Sequence, residues 1–370
     1  MKNKNRILVP ILVFASFVLG AAWTYLTIGQ LGGKKGISSQ IIGSYTIDEN
    51  SIAGAVEKIY DATVTIIASK DGTQISSGTG FVYKEEGSTA YVMTNNHVIS
   101  GSDSAQIIFS DGTSAETKIL GGDTYADIAI LTTSSKNIKQ VATIGKTENI
   151  KLGDTTFAVG APLGDTYSGT VTKGILSGKD RLVAVSFSGT TSDYYMKVLQ
   201  TDAALNPGNS GGPLCNINGE VIGVTSLKLT QEKISLTSTY SVEGMGFAIP
   251  IEDALYYAEI IEKGESVKRP YVGISMLDIT DSYYLWQAGL TIPEGVTKGV
   301  AILEVVSQSP AEKSGLKKGD IITKLENETI DSVAQLRYEL YKHNPGETIT
   351  ITYNRDGKEK KAKITLEESK

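Results

Sequence analysis

Residues 206–214 read NPGNSGGPL, and this is the most informative stretch of the chain for fold and chemistry. Glycines on both sides of Ser210 allow tight backbone turns in which several N–H groups converge on one point. Such a nest suits an oxyanion. A serine hydroxyl is a weak nucleophile unless a neighbouring base removes its proton during the attack. Ser210 therefore needs a partner base elsewhere in the chain.

Two histidines are available for that role. His343 lies in YKHNPG, at the end of a predicted helix, where a cation suits the helix dipole, and we expect it to be structural or at the surface. His97 follows a predicted strand at 90–94, so a turn could present its ring at the mouth of a barrel. A lone histidine after a strand is more often structural, but its joint occurrence with the glycine-flanked serine favours catalysis. By elimination His97 is the candidate base.

A carboxylate that accepts a hydrogen bond from the histidine would fix the tautomer of its ring. Asp127 is the first residue of the apolar run DIAIL, where burial of an acidic side chain is costly unless it has a hydrogen-bond partner. Turn-like neighbours are a sufficient explanation for the other acids considered: Asp111, Asp123, Asp154 and Asp165. Asp127 is therefore the candidate acid that orients the histidine.

Three segments carry a resemblance to a known family: TNNHVI at 94–99, DIAIL at 127–131 and TDAALNPGNSGGPL at 201–214. In that order they resemble the trypsin-like serine proteases, and more closely the HtrA/Deg family. The order His, Asp, Ser, at spacings of 30 and 83 residues, is that of the chymotrypsin clan. The resemblance spans about residues 50–367. It implies a trypsin-like double β-barrel and a serine endopeptidase without cofactor or metal.

The resemblance also implies further site residues. Backbone N–H groups of Gly208 and Ser210, aided by Asn209, would form the oxyanion hole. Leu205 and Leu227 would line the primary specificity pocket, and since neither carries a charge we expect small or medium aliphatic P1 side chains. In the trypsin-like digestive enzymes an aspartate stands in place of Asn209. That aspartate pairs with the new N-terminus released by zymogen cleavage. Activation is therefore expected to work differently here.

Composition and charge favour a mainly β protein. The 370 residues carry a formal net charge of −6 and a pI near 5.2, which gives no basic field for nucleic acid. Many short β-branched runs are separated by turn residues, which favours paired barrels. Asp71-Gly72 and Asp111-Gly112 predict hairpin turns. The single cysteine, Cys215, excludes an intrachain disulfide and a zinc site of several thiolates, and we interpret it as a small buried hydrophobe.

The N-terminus has the pattern of a membrane anchor. Residues 1–6 carry three basic side chains, and residues 7–28 are uncharged and apolar, about the ~20 residues that a spanning helix needs. We predict an uncleaved signal anchor, with residues 1–6 in the cytoplasm and the catalytic domain outside it. The alternative is a signal peptide cleaved near 20–22, but the apolar run exceeds the usual h-region of about 7–15 residues. Residues 29–50 would form a flexible linker.

A second domain is expected after a boundary near 263–269. Residues 51–263 are assigned to the protease domain, and residues 270–367 resemble a PDZ domain of the HtrA type. Four residues match the loop and strand that receive the terminal carboxylate of a peptide: Tyr271, Val272, Gly273 and Ile274. A bound peptide would face the helix predicted at 332–341. The alternative is a small α+β domain used only for packing.

Two functional hypotheses follow from the sequence. The first is a membrane-anchored, ATP-independent endopeptidase that cleaves misfolded or regulatory proteins outside the cytoplasm, with a PDZ domain that binds C-terminal peptides. The resemblance further implies a homotrimer assembled through the protease domain. The second is a membrane-tethered peptide-binding scaffold with a latent protease domain.

Overall fold

A computed structural model describes residues 49–161, 167–185, 194–226, 233–235, 238–239 and 244–369. The predicted anchor at 7–28 and the linker up to residue 48 lie outside the described residues. Among the described residues, no helix has the length and apolarity required to span a bilayer. The compact unit described below spans Asn50–Lys370.

The first barrel is closed and antiparallel, with the strand order β1-β2-β3-β6-β5-β4. A helix precedes it, α1 (Glu49–Glu57), and a single-turn helix follows its third strand, α2 (Asn96–Ile99). The strands are β1 (Thr63–Lys70), β2 (Thr73–Glu86), β3 (Thr89–Thr94), β4 (Ser104–Ile108), β5 (Ser114–Asp123) and β6 (Ile128–Ser134). Asp71 and Gly72 both have positive φ and join β1 to β2 as the predicted two-residue hairpin turn.

The second barrel is also closed, with the strand order β10-β11-β14-β9-β8-β7. A separate two-stranded hairpin, β12 (Lys233–Ser235) and β13 (Ser238–Thr239), lies between β11 and β14 in sequence. The barrel strands are β7 (Thr155–Gly160), β8 (Thr170–Val185), β9 (Tyr194–Thr201), β10 (Pro213–Asn216), β11 (Val221–Thr225) and β14 (Gly246–Pro250). The prediction of a mainly β protein with two barrels is confirmed.

One apolar cluster spans both barrels, besides a separate cluster in each. Phe81 and Met93 of the first barrel belong to the same buried cluster as Phe157 of the second. The helix α3 (Ile251–Glu262) leaves the second barrel and packs against β5 and β6 of the first. At its end, Glu262 accepts a hydrogen bond from the Tyr83 hydroxyl at 2.6 Å, which fixes the helix to β2. The helix therefore links the second barrel to the first.

The third part of the fold is a small sheet of order β16-β17-β18-β20-β21, with β19 paired to β18 and β15 paired to β22. Its strands are β15 (Pro270–Tyr271), β16 (Ile274–Asp278), β17 (Val300–Val305), β18 (Ile321–Leu325), β19 (Glu328–Thr329), β20 (Thr348–Arg355), β21 (Lys358–Thr365) and β22 (Glu367–Glu368). Its helices are α4 (Ser282–Gln287), α5 (Pro310–Lys313) and α6 (Val333–Leu340). The helix predicted at 332–341 corresponds to α6, whereas the sequence gives no sign of α4.

The junction of protease and PDZ parts is an ion pair framed by aromatic rings. The Arg269 guanidinium donates to both carboxylate oxygens of Asp123 at 2.6 Å. It also lies 4.6 Å from the ring centroid of Tyr125 and 5.6 Å from that of Tyr341. The paired side chains are only 12% and 10% exposed. Such planar, two-point pairing specifies orientation as well as proximity.

We predict that Arg269→Ala loosens this junction, because it leaves the Asp123 carboxylate unpaired in a largely buried site. The free energy of unfolding in urea should fall by about 3 kcal/mol, and proteolytic nicking near 263–269 should accelerate. Lys263→Ala is the matched control, because its ion pair with Glu259 is exposed and its loss should change neither measurement. Equal behaviour of the two variants would contradict the prediction.

Cys215 is fully buried on β10, in agreement with its interpretation as a small core residue. Burial raises the pKa of its thiol, so little reactive thiolate forms. We therefore expect iodoacetamide to leave the native chain unmodified at neutral pH and to add one group after unfolding in urea, as measured by intact mass. Rapid native labelling would show that β10 opens locally.

Candidate active site

The three candidate catalytic residues come from both barrels. His97 lies on α2, directly after β3, and Asp127 lies in the connection from β5 to β6. Ser210 lies in the glycine-rich connection from β9 to β10. The candidate site is therefore built from connections between strands, two in the first barrel and one in the second.

His97 and Asp127 form a two-point contact. The ring Nδ1 of His97 lies 2.8 Å from Oδ2 and 3.0 Å from Oδ1 of Asp127. The backbone N–H of His97 also donates to Oδ1, at 3.0 Å. An ionised carboxylate only accepts hydrogen bonds, so Nδ1 carries the proton and Nε2 is left as the basic nitrogen. The Asp127 carboxylate therefore orients both the ring and the backbone of His97.

Asp127 is itself held by neighbours from both barrels. It is 1% exposed, and its Oδ2 accepts a hydrogen bond from the Ser226 hydroxyl at 3.0 Å. Its backbone carbonyl accepts from Asn95 Nδ2 at 2.9 Å, and its φ of 54° lies in the left-handed region. Burial, and next the charge of Asp127, raise the pKa of the Tyr194 phenol, which therefore stays protonated beside the acid.

Ser226 is a residue that the sequence analysis missed. It follows β11 directly, is fully buried, and lies 99 positions from its partner Asp127. Because serine is common at strand ends, no local pattern distinguishes it. Only its place at the end of a strand in the barrel that carries Ser210 could have indicated it.

Backbone hydrogen bonds hold the loop around Ser210 in place. The Ser210 carbonyl accepts from Thr79 N at 2.9 Å, and Gly211 N donates to the Thr225 carbonyl at 2.8 Å. Gly211 has a φ of 85°, and a Cβ there would lie 2.2 Å from Thr94 Oγ1. A side chain at this position would therefore push the loop off the first barrel, which explains the glycine.

The same contacts place Ser210 beside the helix that carries His97. A Cβ on Gly78 would lie 2.7 Å from Val98 Cγ2 and 3.0 Å from the Ser210 carbonyl oxygen, so only a glycine fits between them. Ser210 is 6% exposed. The backbone of Ser210 thus lies beside the helix of His97, and the ring of His97 contacts Asp127.

The oxyanion-hole candidates separate into two groups. Asn209 N donates to the Asn206 carbonyl at 2.9 Å, so this N–H is directed into the loop. The Asn209 side chain is buried against Gly160, and its Oδ1 meets no hydrogen-bond partner among the described residues. Within the same described part of the chain, the Gly208 N–H meets no acceptor. The loop therefore leaves the Gly208 N–H without an acceptor among the described residues and gives the Asn209 side chain a packing role.

Only one of the two specificity-pocket candidates can be located. Leu205 is half-buried and covers Gly246 at the start of β14, where a Cβ would lie 2.8 Å from Leu205 Cδ1. Leu227 lies outside the described residues. The wall that Leu205 contributes is apolar.

The candidate peptide groove lies between β16 and α6 and encloses about 280 Å³. Its apolar floor includes Leu325, Leu336 and Leu340. The carbonyls of Val272 and Gly273 accept from Ala311 N and Val306 N, each at 2.9 Å. Because a trans peptide points its N–H opposite to its carbonyl, the N–H groups of Gly273 and Ile274 face away from these bonds. The four predicted residues Tyr271, Val272, Gly273 and Ile274 all line the groove.

The second histidine, His343, pairs with a carboxylate of the PDZ domain instead. His343 follows α6, and its Nδ1 lies 2.9 Å from Glu347 Oε2. No group of metal-ligating side chains occurs among the described residues.

Comparison with known proteins agrees with this geometry. Residues 78–224 match the trypsin-like peptidase domain family, and residues 270–366 match the PDZ domain family. The chain is 40% identical over 323 residues to the serine protease Do-like HtrA of Lactococcus lactis subsp. lactis, covering 87% of this chain and 78% of the relative. It is 35% identical over 395 residues to the same protein of L. lactis subsp. cremoris, covering 99% and 96%.

Solved structures show the same architecture. The serine endoprotease from Yersinia pestis superposes with a TM-score of 0.61 at 28% identity, over 86% of this chain and 98% of that chain. The HtrA-type protease AlgW with a decapeptide superposes with a TM-score of 0.62 at 27% identity, over 86% and 99%. The chain therefore belongs to the HtrA family of serine proteases, with a trypsin-like peptidase domain followed by one PDZ domain.

Proposed function

We propose that this HtrA-type protease is a membrane-anchored, ATP-independent endopeptidase that acts through Ser210, His97 and Asp127. The observation that supports these roles is the double contact of His97 with the buried Asp127, next to the loop of Ser210. Such an arrangement leaves one imidazole nitrogen basic and directed away from the acid.

In the proposed mechanism, the Ser210 hydroxyl attacks the scissile carbonyl while His97 Nε2 takes its proton. Asp127 stabilises the imidazolium that forms. The N–H groups of Gly208 and Ser210 bind the negative oxygen of the tetrahedral intermediate, each contributing about 3 kcal/mol. His97 then protonates the leaving amine, and an acyl-enzyme remains. Water hydrolyses this ester by the same steps, which restores the serine.

The proposed substrates are unfolded, misfolded or regulatory proteins, as in quality control and stress response. The apolar wall at Leu205 supports a preference for small or medium aliphatic P1 side chains, and Leu227 is proposed to complete the pocket. A charged P1 residue would lose its hydration there without finding a partner.

The PDZ domain is proposed to bind exposed C-terminal peptides. Structures of the relative AlgW are described as complexes with a tripeptide and with a decapeptide. In this chain, Arg269 and Tyr125 line the groove together with the PDZ residues. Since Tyr125 belongs to the same connection as Asp127, groove and catalytic acid share one segment. We propose that peptide binding controls activity through this segment.

The proposed organisation retains the sequence assignments. Residues 1–6 are cytoplasmic, 7–28 form the single-pass anchor and 29–50 the linker. Residues 51–263 form the protease domain and 270–367 the PDZ domain, both outside the cytoplasm at the cell membrane. A homotrimer through the protease domain is proposed from the family resemblance.

Ser210→Ala is predicted to abolish cleavage of unfolded casein and labelling by a fluorophosphonate probe, with a loss of at least ~10³-fold in kcat. Both assays are run with and without hydrophobic C-terminal peptides. Ser135→Ala is the control, because the hydroxyl of this half-buried serine donates only to the Gly87 carbonyl among the described residues. Should the wild-type chain show no Ser210-dependent activity under any condition, the latent peptide-binding scaffold would be the better description.

Ser226→Ala is predicted to lower kcat by ~10–100-fold at unchanged KM, because a hydrogen bond to a charged group contributes about 1.5–3 kcal/mol. Fluorophosphonate labelling should slow by a similar factor, since the base is less well oriented. The same Ser135→Ala control should behave as wild type. An unchanged kcat would exclude a positioning role for Ser226.

A further inference from the structure

The helix α4 in the PDZ domain exposes three aromatic side chains that no part of the proposed protease function uses. Trp286 is 76% exposed, Tyr283 is 64% exposed and Tyr284 is 49% exposed. Among the described residues, no other large hydrophobic side chain is as exposed as Trp286. We call these three side chains the aromatic patch.

The patch faces away from the domain because of the helical period. At about 100° per residue, Tyr283, Tyr284 and Trp286 fall within an arc of about 160° that lies opposite Leu285. Leu285 is buried at 3% exposure. It packs with Ile279, Ala301 and Ile321 in a small core of its own. The helix is therefore held rigidly with its aromatic side outward.

Two exposed lysines lie beside the C-terminal end of the helix, whereas an acid, Asp281, directly precedes its first turn. Leu290 N donates to the Leu285 carbonyl at 2.9 Å, and a Cβ on Gly319 would lie 3.7 Å from Leu290 Cδ2. The turn with the exposed Lys317 and Lys318 therefore lies beside the end of α4. Lys298 is a third exposed cation that follows the helix in the chain, against one exposed acid in that segment, Glu294.

We propose that the aromatic patch inserts into the interface of an anionic lipid bilayer. Tyrosine and tryptophan combine an apolar ring with a polar tip, which suits the boundary of headgroups and acyl chains. Lysines beside them are attracted to anionic headgroups. None of the three side chains lines the peptide groove, so an extended flat surface suits the patch better than a segment inserted into a cleft.

The inference rests on the proposed membrane anchorage for proximity. If the proposed linker at 29–50 is flexible, its root-mean-square length would be roughly 25 Å, which would keep the folded part within reach of the bilayer. A short aromatic helix binds lipid weakly by itself, but tethering raises its effective concentration at the surface. Insertion of α4 would give the PDZ domain a second point of attachment and a preferred orientation.

The chain contains two tryptophans, Trp23 and Trp286, so Trp23→Phe leaves Trp286 as the only indole. This full-length variant is reconstituted into vesicles of phosphatidylglycerol and phosphatidylcholine. We expect the Trp286 emission to shift to the blue relative to vesicles of phosphatidylcholine alone. Lipids brominated near the headgroup should quench it more than lipids brominated near the chain end, because interfacial insertion is shallow, about 5–10 Å.

Two further variants separate lipid insertion from other causes. Lys317→Ala/Lys318→Ala should reduce the quenching by anionic vesicles several-fold, whereas the exposed pair on β21, Lys358→Ala/Lys360→Ala, should leave it unchanged. Tyr283→Ser/Tyr284→Ser should also weaken it.

The experiment tests membrane anchorage and insertion of the aromatic patch separately. Co-flotation with vesicles but access of acrylamide to Trp286, without quenching by brominated lipid, would overturn the inference alone. Protection from acrylamide without lipid quenching would mean a protein partner and would equally overturn it. Failure to co-float would overturn the anchorage and the inference together.

Discussion

The buried carboxylate of Asp127 is the constraint on which the site depends. A carboxylate at 1% exposure is costly unless its lone pairs are used, and here its acceptors are used by the backbone and ring of His97 and by Ser226. Two of these donors come from the first barrel and one from the second. The need to satisfy one acid therefore helps to set the position of the two barrels relative to each other, and with it the cleft that holds Ser210.

Site residues of a rare type can be identified from the sequence. Residues that act through contacts distant in sequence cannot. His97 could be identified because the chain has only one other histidine. Asp127 could be identified because an acid at the start of an apolar strand is costly to bury unless it has a partner. The Asp71-Gly72 turn was predictable since its cause is local. Ser226 could not be identified from the sequence, because its hydroxyl contacts Asp127 only in the folded structure.

Two other features escaped sequence reasoning for related reasons. The helix α4 is a single turn and a half with one buried residue, too short for a hydrophobic period to show. The direction of the Asn209 N–H depends on a loop bond to Asn206 rather than on residue type. Type and spacing predict which residues gather at a site, whereas the orientation of each peptide unit follows from the packed structure.

The left-handed backbone of Asp127 restricts which acid can stand there. Aspartate and asparagine adopt positive φ several times more readily than most other residues, because their short polar side chains bond locally. Glutamate would carry the same charge but would incur the conformational cost and extend one methylene too far toward His97. The preference for aspartate over glutamate at this position is thus imposed by the main chain as much as by the reaction, and it narrows the neutral substitutions open to the site during evolution.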